Sequence, residues 1–129
     1  MNKEAHLFVY GSLRKALNHP LHPLLERHAN FVGAGIFRGK LYDLGRYPGA
    51  IPSKANTDRV VGEVYRFAGS EEVLKFLDNY EGRRFRRKRV TISLENNENI
   101  SCWIYLYARP VRRRALISSG DYIVYRKSV

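Results

Sequence analysis

Leu7-Phe8-Val9-Tyr10-Gly11-Ser12-Leu13-Arg14 is an apolar run that ends in a Gly-Ser turn. His6 to Tyr10 reads as a short strand, nearly all apolar and therefore buried on both faces. Gly11 has no Cβ, so a ligand can approach the backbone closely there. Successive N–H groups in such a turn can converge on an anion. A helix starting just beyond would add its unpaired N–H groups and the positive end of its dipole. The physical reading is a carboxylate or phosphate cradle at the end of a strand. The same residues also suit an ordinary strand-to-loop turn, and the motif alone does not separate the two.

Working outward, Pro20 or Pro23 can open a short helix through Leu24, Leu25 and His28. Residues 31–44 combine β-formers with Gly33, Gly35 and Gly39, as expected of bulges or bends in a curled sheet or small barrel. Residues 45–53 read as a loop, with Tyr47-Pro48-Gly49 as its turn. Val60 to Phe67 reads as a strand. Ser70 then has the character of an N-cap, with Glu71 and Glu72 in the first turn. Val73, Phe76, Leu77 and Tyr80 recur at helical spacing, widened by Leu74, and Gly82 is a stop signal. Phe85 to Leu94 and Ile100 to Ala108 read as a hairpin about Asn96-Asn97-Glu98-Asn99. Ser118 to Tyr122 is a turn into a short apolar tail, Ile123 to Tyr125.

The 129 residues suffice for one domain, 1–129, with a core of its own, and 44% are hydrophobic, a globular composition. The single cysteine, Cys102, cannot form an internal disulfide, which fits a reducing compartment. No signal-peptide core or membrane-length apolar run is present, so a cytoplasmic protein is expected. A net charge of +11 raises the question of a nucleic-acid partner. Its densest run, Arg83, Arg84, Arg86, Arg87, Lys88 and Arg89, lies on a strand, where alternation splits it between two faces. Phe85 is the only aromatic within it, which does not make a base-stacking platform.

Glu81 is the carboxylate of interest. It lies in Leu77-Asp78-Asn79-Tyr80-Glu81-Gly82, at the negative end of a helix, where ionisation is disfavoured. Burial beside Tyr80 would act in the same direction. A glutamate raised toward neutral pH can accept and return a proton within one turnover. Arg83, Arg84, Arg86 and Arg87 would oppose the shift if they pointed at it, and an exposed salt-bridged glutamate is the competing reading. His6, His19, His22 and His28 lack a completing ligand set, so no metal is expected. Cys102 suits packing more than nucleophilic work, and Ser12 has no nucleophile elbow. P-loop and dinucleotide fingerprints are absent.

Val9-Tyr10-Gly11-Ser12-Leu13, Gly39-Lys40-Leu41-Tyr42-Asp43, Tyr47-Pro48-Gly49, Val61-Gly62-Glu63-Val64-Tyr65, Leu77 to Gly82 and Ser119-Gly120-Asp121-Tyr122 occur in that order. Together they resemble the gamma-glutamylcyclotransferase-like family, in particular its small bacterial members. The resemblance implies an α+β fold, a small mixed β-barrel with flanking helices. It implies a pocket in which Tyr10, Gly11, Ser12 and Leu13 hold the substrate and Glu81 is the general acid/base. Tyr47 and Tyr107 are expected to line that pocket's outer wall. Phe85 stands where many members have Tyr, and Tyr122 where many have Trp, so altered pocket detail is expected. The implied reaction releases 5-oxoproline from a γ-glutamyl amide without a cofactor, by a monomer or a homodimer. A non-catalytic small-molecule binding module on the same fold is the alternative, and a basic nucleic-acid-binding protein a weaker one.

Overall fold

The computed structural model describes residues 4–11, 14, 27, 29–68 and 71–128. The expected turn residues Ser12 and Leu13, the Pro20/Pro23 helix, His19, His22, His28 and the Ser70 cap lie outside them. The strands are β1 (Glu4–Val9), β2 (Asn30–Phe37), β3 (Gly39–Asp43), β4 (Pro48–Pro52), β5 (Val60–Ala68), β6 (Phe85–Leu94), β7 (Asn99–Tyr107) and β8 (Ala115–Leu116). The helices are α1 (Glu71–Glu81) and α2 (Tyr122–Lys127).

Five strands close into a barrel in the order β1-β5-β2-β6-β7, and β4-β3-β8 form a second sheet. The α+β barrel with helices is thus the observed architecture. All barrel pairs are antiparallel except the closing one, where β1 meets β7 in parallel with a single registered pair, Leu7↔Trp103. Alternation along β1 divides its side chains between two cores. Phe8 joins Val64, Ile92 and Ile104 in one cluster, and Tyr10 follows it there. Leu7 and Val9 join Tyr65, Phe67 and the helix residues Leu74 and Leu77 in the other. Burial on both faces of β1 therefore has a simple cause: barrel interior on one side, α1 on the other.

As expected of a bent and bulged stretch, residues 31–44 hold two strands broken at Arg38, one in each sheet, with a register shift between Phe31 and Gly33. Two local readings need correction. Residues 48–52 are a strand and not a loop: β4 pairs with β3 from Asp43↔Pro48 to Gly39↔Pro52. Its two prolines occupy the strand's ends, where a missing N–H is tolerated. The true turn lies just before, where the Leu44 N–H donates to the Tyr47 carbonyl at 3.0 Å. The apolar tail is α2, capped by Asp121, whose carboxylate accepts from the N–H groups of Ile123 and Val124.

The expected stripe on α1 is also narrower than its sequence suggests. Leu74 and Leu77 are buried, whereas Phe76 and Tyr80 are 45% and 42% exposed. The helix stops where Gly82 adopts φ +76°, a conformation that glycine takes without strain. Leu77 is the side chain that seats the last turn of α1. Leu77→Ala is expected to cost about 2–5 kcal/mol, read by urea denaturation. An unchanged midpoint would show that α1 is held by something else.

Candidate active site

Leu74, Leu77 and Glu81 fall at i, i+3 and i+7, so they share one helical face. The helix that buries its two leucines therefore carries the carboxylate inward too. Glu81 opens into a cavity of about 290 Å³. One wall is the run Leu7 to Gly11, and the other comes from Tyr47, Pro48, Tyr80, Phe85 and Tyr105. The strand-turn motif and the helix-end glutamate, 70 residues apart, thus meet in one concave space.

Burial pushes the Glu81 carboxyl up to about 7 from an ordinary 4.5. Among the described residues no arginine forms an ion pair with it. Three members of the basic run, Arg84, Arg87 and Arg89, are engaged elsewhere. Arg87 holds Asp78 through two bonds of 2.9 and 3.2 Å, and Arg84 donates to the Tyr47 hydroxyl at 3.3 Å. Arg87 and Arg89 also lie over the Trp103 ring, at 4.3 and 4.7 Å from its centroid. Asp78 provides an internal contrast. Burial acts to raise its carboxyl, but the Arg87 and Tyr105 hydrogen bonds outweigh that and hold it below the usual range. Two carboxylates three residues apart on one helix are pushed in opposite directions, and Glu81, which has no ion-pair partner among the described residues, can cycle a proton near neutrality.

Tyr10 forms part of the wall and is not itself positioned to shuttle protons. Its hydroxyl donates to the Tyr105 carbonyl at 2.6 Å and accepts from the Ala50 N–H at 3.2 Å. Burial, offset in part by the Ala50 bond, and the nearby Glu81 charge raise its ionisation well above the ordinary tyrosine value. Gly11 packs so tightly that a Cβ there would lie 2.9 Å from Pro48 Cγ. The lack of a side chain at this lining position leaves the cavity open to the backbone.

Of the residues expected to bind substrate, Tyr10, Gly11 and Tyr47 line the cavity. Tyr107 does not: it is buried, with its ring edge-on to Phe85 at 5.6 Å, so it backs the wall from behind. Tyr122 is likewise a core residue and not pocket detail, stacked on Tyr125. Phe85, expected to alter pocket detail, and Tyr105, which the sequence reading did not assign, also line the cavity. They come together through the β6–β7 register, in which Phe85 faces Tyr107 and Arg87 faces Tyr105. Among the described residues no three His, Cys, Asp or Glu side chains gather as a metal set. Cys102 is buried in the barrel, and burial pushes its thiol up to about 12.

Arg14 is a further residue that the sequence reading left unassigned. Its backbone N–H donates to the Gly11 carbonyl at 3.0 Å, closing the turn. Its guanidinium, nearly buried, reaches Glu63 on β5 at 3.4 Å and Asp121 at the α2 cap at 2.9 Å. Asp121 thus caps a helix and anchors the turn at once. Arg14→Met would leave both acids without this cation. The expected loss is about 3 kcal/mol or more, read as a fall in thermal stability, with Arg14→Lys recovering only part because an ammonium lacks the planar fork. Full stability in Arg14→Met would show the anchor to be dispensable.

The chain is similar to known proteins over nearly its whole length. A family model described as gamma-glutamyl cyclotransferase, AIG2-like, matches residues 7–124. The chain belongs to this family. The YtfP protein of Escherichia coli, named as a gamma-glutamylcyclotransferase family protein, is 36% identical over 118 residues, which cover 91% of this chain and 95% of the relative. A Methanocaldococcus jannaschii protein, provisionally named a gamma-glutamylcyclotransferase, is 38% identical over 127 residues, 94% of this chain and 98% of that one. Among solved structures, an AIG2-like protein from Mus musculus superposes with a TM-score of 0.70 at 25% identity, covering 89% of this chain and 86% of that one. Membership makes this chain gamma-glutamylcyclotransferase-like in the broad sense, an enzyme type acting on small γ-glutamyl molecules. No helix among the described residues is long and apolar enough to cross a membrane.

Proposed function

We propose that the protein cleaves a γ-glutamyl amide by intramolecular cyclisation, with Glu81 as general base and then general acid. The observation that carries this reading is a carboxyl group raised to about 7 and opening into the same cavity as Tyr10 and Gly11. The substrate's α-carboxylate is received at the Gly11 end of the turn that follows β1. Glu81 removes a proton from the α-ammonium. The freed amine attacks the γ-carbonyl carbon, forming the C–N bond of a five-membered lactam. As the tetrahedral adduct collapses, the original γ-amide C–N bond breaks, Glu81 returns its proton to the departing nitrogen, and the surplus proton of the attacking nitrogen passes to the released amine, which leaves as an ammonium. The products are 5-oxoproline and a free amine.

The substrate carries its own nucleophile, so the protein's tasks are orientation and proton transfer. Orientation in such closures can contribute about 7–11 kcal/mol to lowering the barrier. Tyr47, Phe85 and Tyr105 supply an apolar wall on one side of the reacting atoms. That wall keeps the local dielectric low and sustains the Glu81 shift. The test is to incubate the protein with a panel of γ-glutamyl amides and quantify 5-oxoproline. Equimolar 5-oxoproline and amine are expected. Thermal stabilisation by the amides without product would instead identify a binding module on this fold.

A further inference from the structure

The basic run on β6 is split between the strand's two faces, but the fold gathers a different set of cations at one edge of the molecule. Three turns meet there. Leu44 to Tyr47 joins β3 to β4 and carries Arg46; Gly82-Arg83-Arg84 joins α1 to β6; residues 108–114 lead from β7 to β8 and carry Arg109 and Arg112 to Arg114. Hydrogen bonds tie these turns together. The Ala108 N–H donates to the Arg84 carbonyl at 2.8 Å, and the Arg114 N–H closes its own turn on the Val111 carbonyl at 2.9 Å. The Arg84 guanidinium reaches the Tyr47 hydroxyl and the Arg114 guanidinium the Leu44 carbonyl, both at 3.3 Å. Two like charges are thus held at the two ends of one turn whose own side chain, Arg46, is a third.

Little negative charge offsets them. The arginines of these turns are all exposed, and among the described residues none of them forms an ion pair. Asp43, near enough to Arg114 to be lowered by it, already accepts from the Tyr125 hydroxyl and the Gly45 N–H. Glu81 opens into its own cavity. Like charges held together repel unless an anion comes between them. Every cation in these turns is an arginine, whose planar fork of five N–H donors fits phosphate oxygens in pairs. The bonds to Tyr47 and Leu44 use only one donor each. No large apolar or aromatic side chain of these turns is exposed, so the edge gives a bilayer nothing to bury and a base nothing to stack on. We propose that this edge binds the phosphate backbone of a single-stranded nucleic acid without reading its bases. The arginines sit on separate turns and not along one helix or strand, so a flexible strand adapts to them where the fixed phosphate repeat of a duplex does not.

The experiment follows the fluorescence anisotropy of a labelled single-stranded RNA of mixed sequence, titrated with the full chain at several salt concentrations. The logarithm of the binding constant is expected to fall with that of salt at a slope of about −2 or steeper, since each phosphate neutralised on a single strand contributes about −0.7. DNA of the same sequence and RNA of scrambled sequence should bind within a few-fold. Arg46→Gln/Arg112→Gln/Arg113→Gln is expected to weaken binding by about tenfold or more at low salt and to flatten the slope by about 2. Arg112→Gln/Arg113→Gln, with a few-fold weakening, serves if the triple variant does not fold. Arg38→Gln/Lys54→Gln/Arg59→Gln removes the same charge from exposed sites at the far end of the β3–β4 pair and should change little. Absence of binding at low salt, equal losses from the two triple variants, or a strong preference for one sequence or sugar overturns the proposal. Tighter capture by phosphatidylglycerol–phosphatidylcholine vesicles than by the RNA overturns it too and makes the edge a membrane contact. No γ-glutamyl substrate enters the measurement, so its outcome is independent of the cyclotransferase reading.

Discussion

Glu81→Gln is expected to lower 5-oxoproline release by about 10²–10⁴-fold, the usual contribution of a positioned acid/base. The amide keeps the shape of the side chain and can still be buried on the Leu74–Leu77 face of α1. It cannot take a proton from an ammonium and give it back. The wild-type kcat/KM should climb through an inflection near the raised carboxyl value of about 7, because only the ionised form is a base. Substrate binding should persist in the variant, so a KM within a few-fold of wild type would accompany the fall in kcat. Equal rates from both proteins would remove Glu81 from the reaction. Asp78→Asn serves as the comparison, since Asp78 is held by Arg87 and Tyr105. Its expected defect is in stability and in the wall, and a collapse of kcat matching that of Glu81→Gln would move the acid/base role to the wrong carboxylate for this mechanism.

The second large effect is on stability and follows from the same burial. The Glu81 carboxyl titrates at about 7 in the folded chain and at 4.5 ordinarily. A group whose folded value is raised stabilises the fold fully below its unfolded value, and that contribution is lost as pH rises through the folded one. Between pH 4.5 and 8 the wild type should therefore lose up to about 3 kcal/mol relative to Glu81→Gln. Asp43 and Asp78 are lowered and contribute in the opposite direction, toward acid, but both proteins share them and the difference cancels them. Urea denaturation of the pair at several pH values measures it. A difference that does not vary with pH would mean that the carboxylate is solvated or paired, contrary to its surroundings here.

Much of this architecture could be read locally. The α1 segment announced itself through Leu74 and Leu77 and through Gly82, which takes the positive φ its position needs. Strands β5, β6 and β7 were legible because their apolar residues alternate and their turn residues are unambiguous. Strand β4 was not, because Pro48, Gly49 and Pro52 carry every mark of a loop when their pairing with β3 is unseen. Strand β8 is two residues long and α2 only six, too short for periodicity to declare itself. The site divides in the same way. Glu81 and the Tyr10–Gly11 end of β1 were visible as motifs. Tyr105 enters the wall only through cross-strand register, and Arg14 reaches Asp121 across 107 positions of sequence, a distance no local pattern spans. The inward aim of Glu81 was available from its spacing to Leu77 and Leu74. The direction taken by the arginines that follow it was not.

The barrel closes on its shortest seam. Where β1 and β7 run side by side, their register is one pair long; Leu7 of that pair, the residues that follow it to Gly11, and Tyr105 two positions beyond Trp103 all line the cavity. The cavity thus lies along a hem of the cylinder left unlaced, with Tyr47, Pro48, Tyr80 and Phe85 on its other side. A guest lodged there would stitch the two edges together, whereas substitutions that lengthened the lacing would tighten the cylinder at the expense of the room inside it.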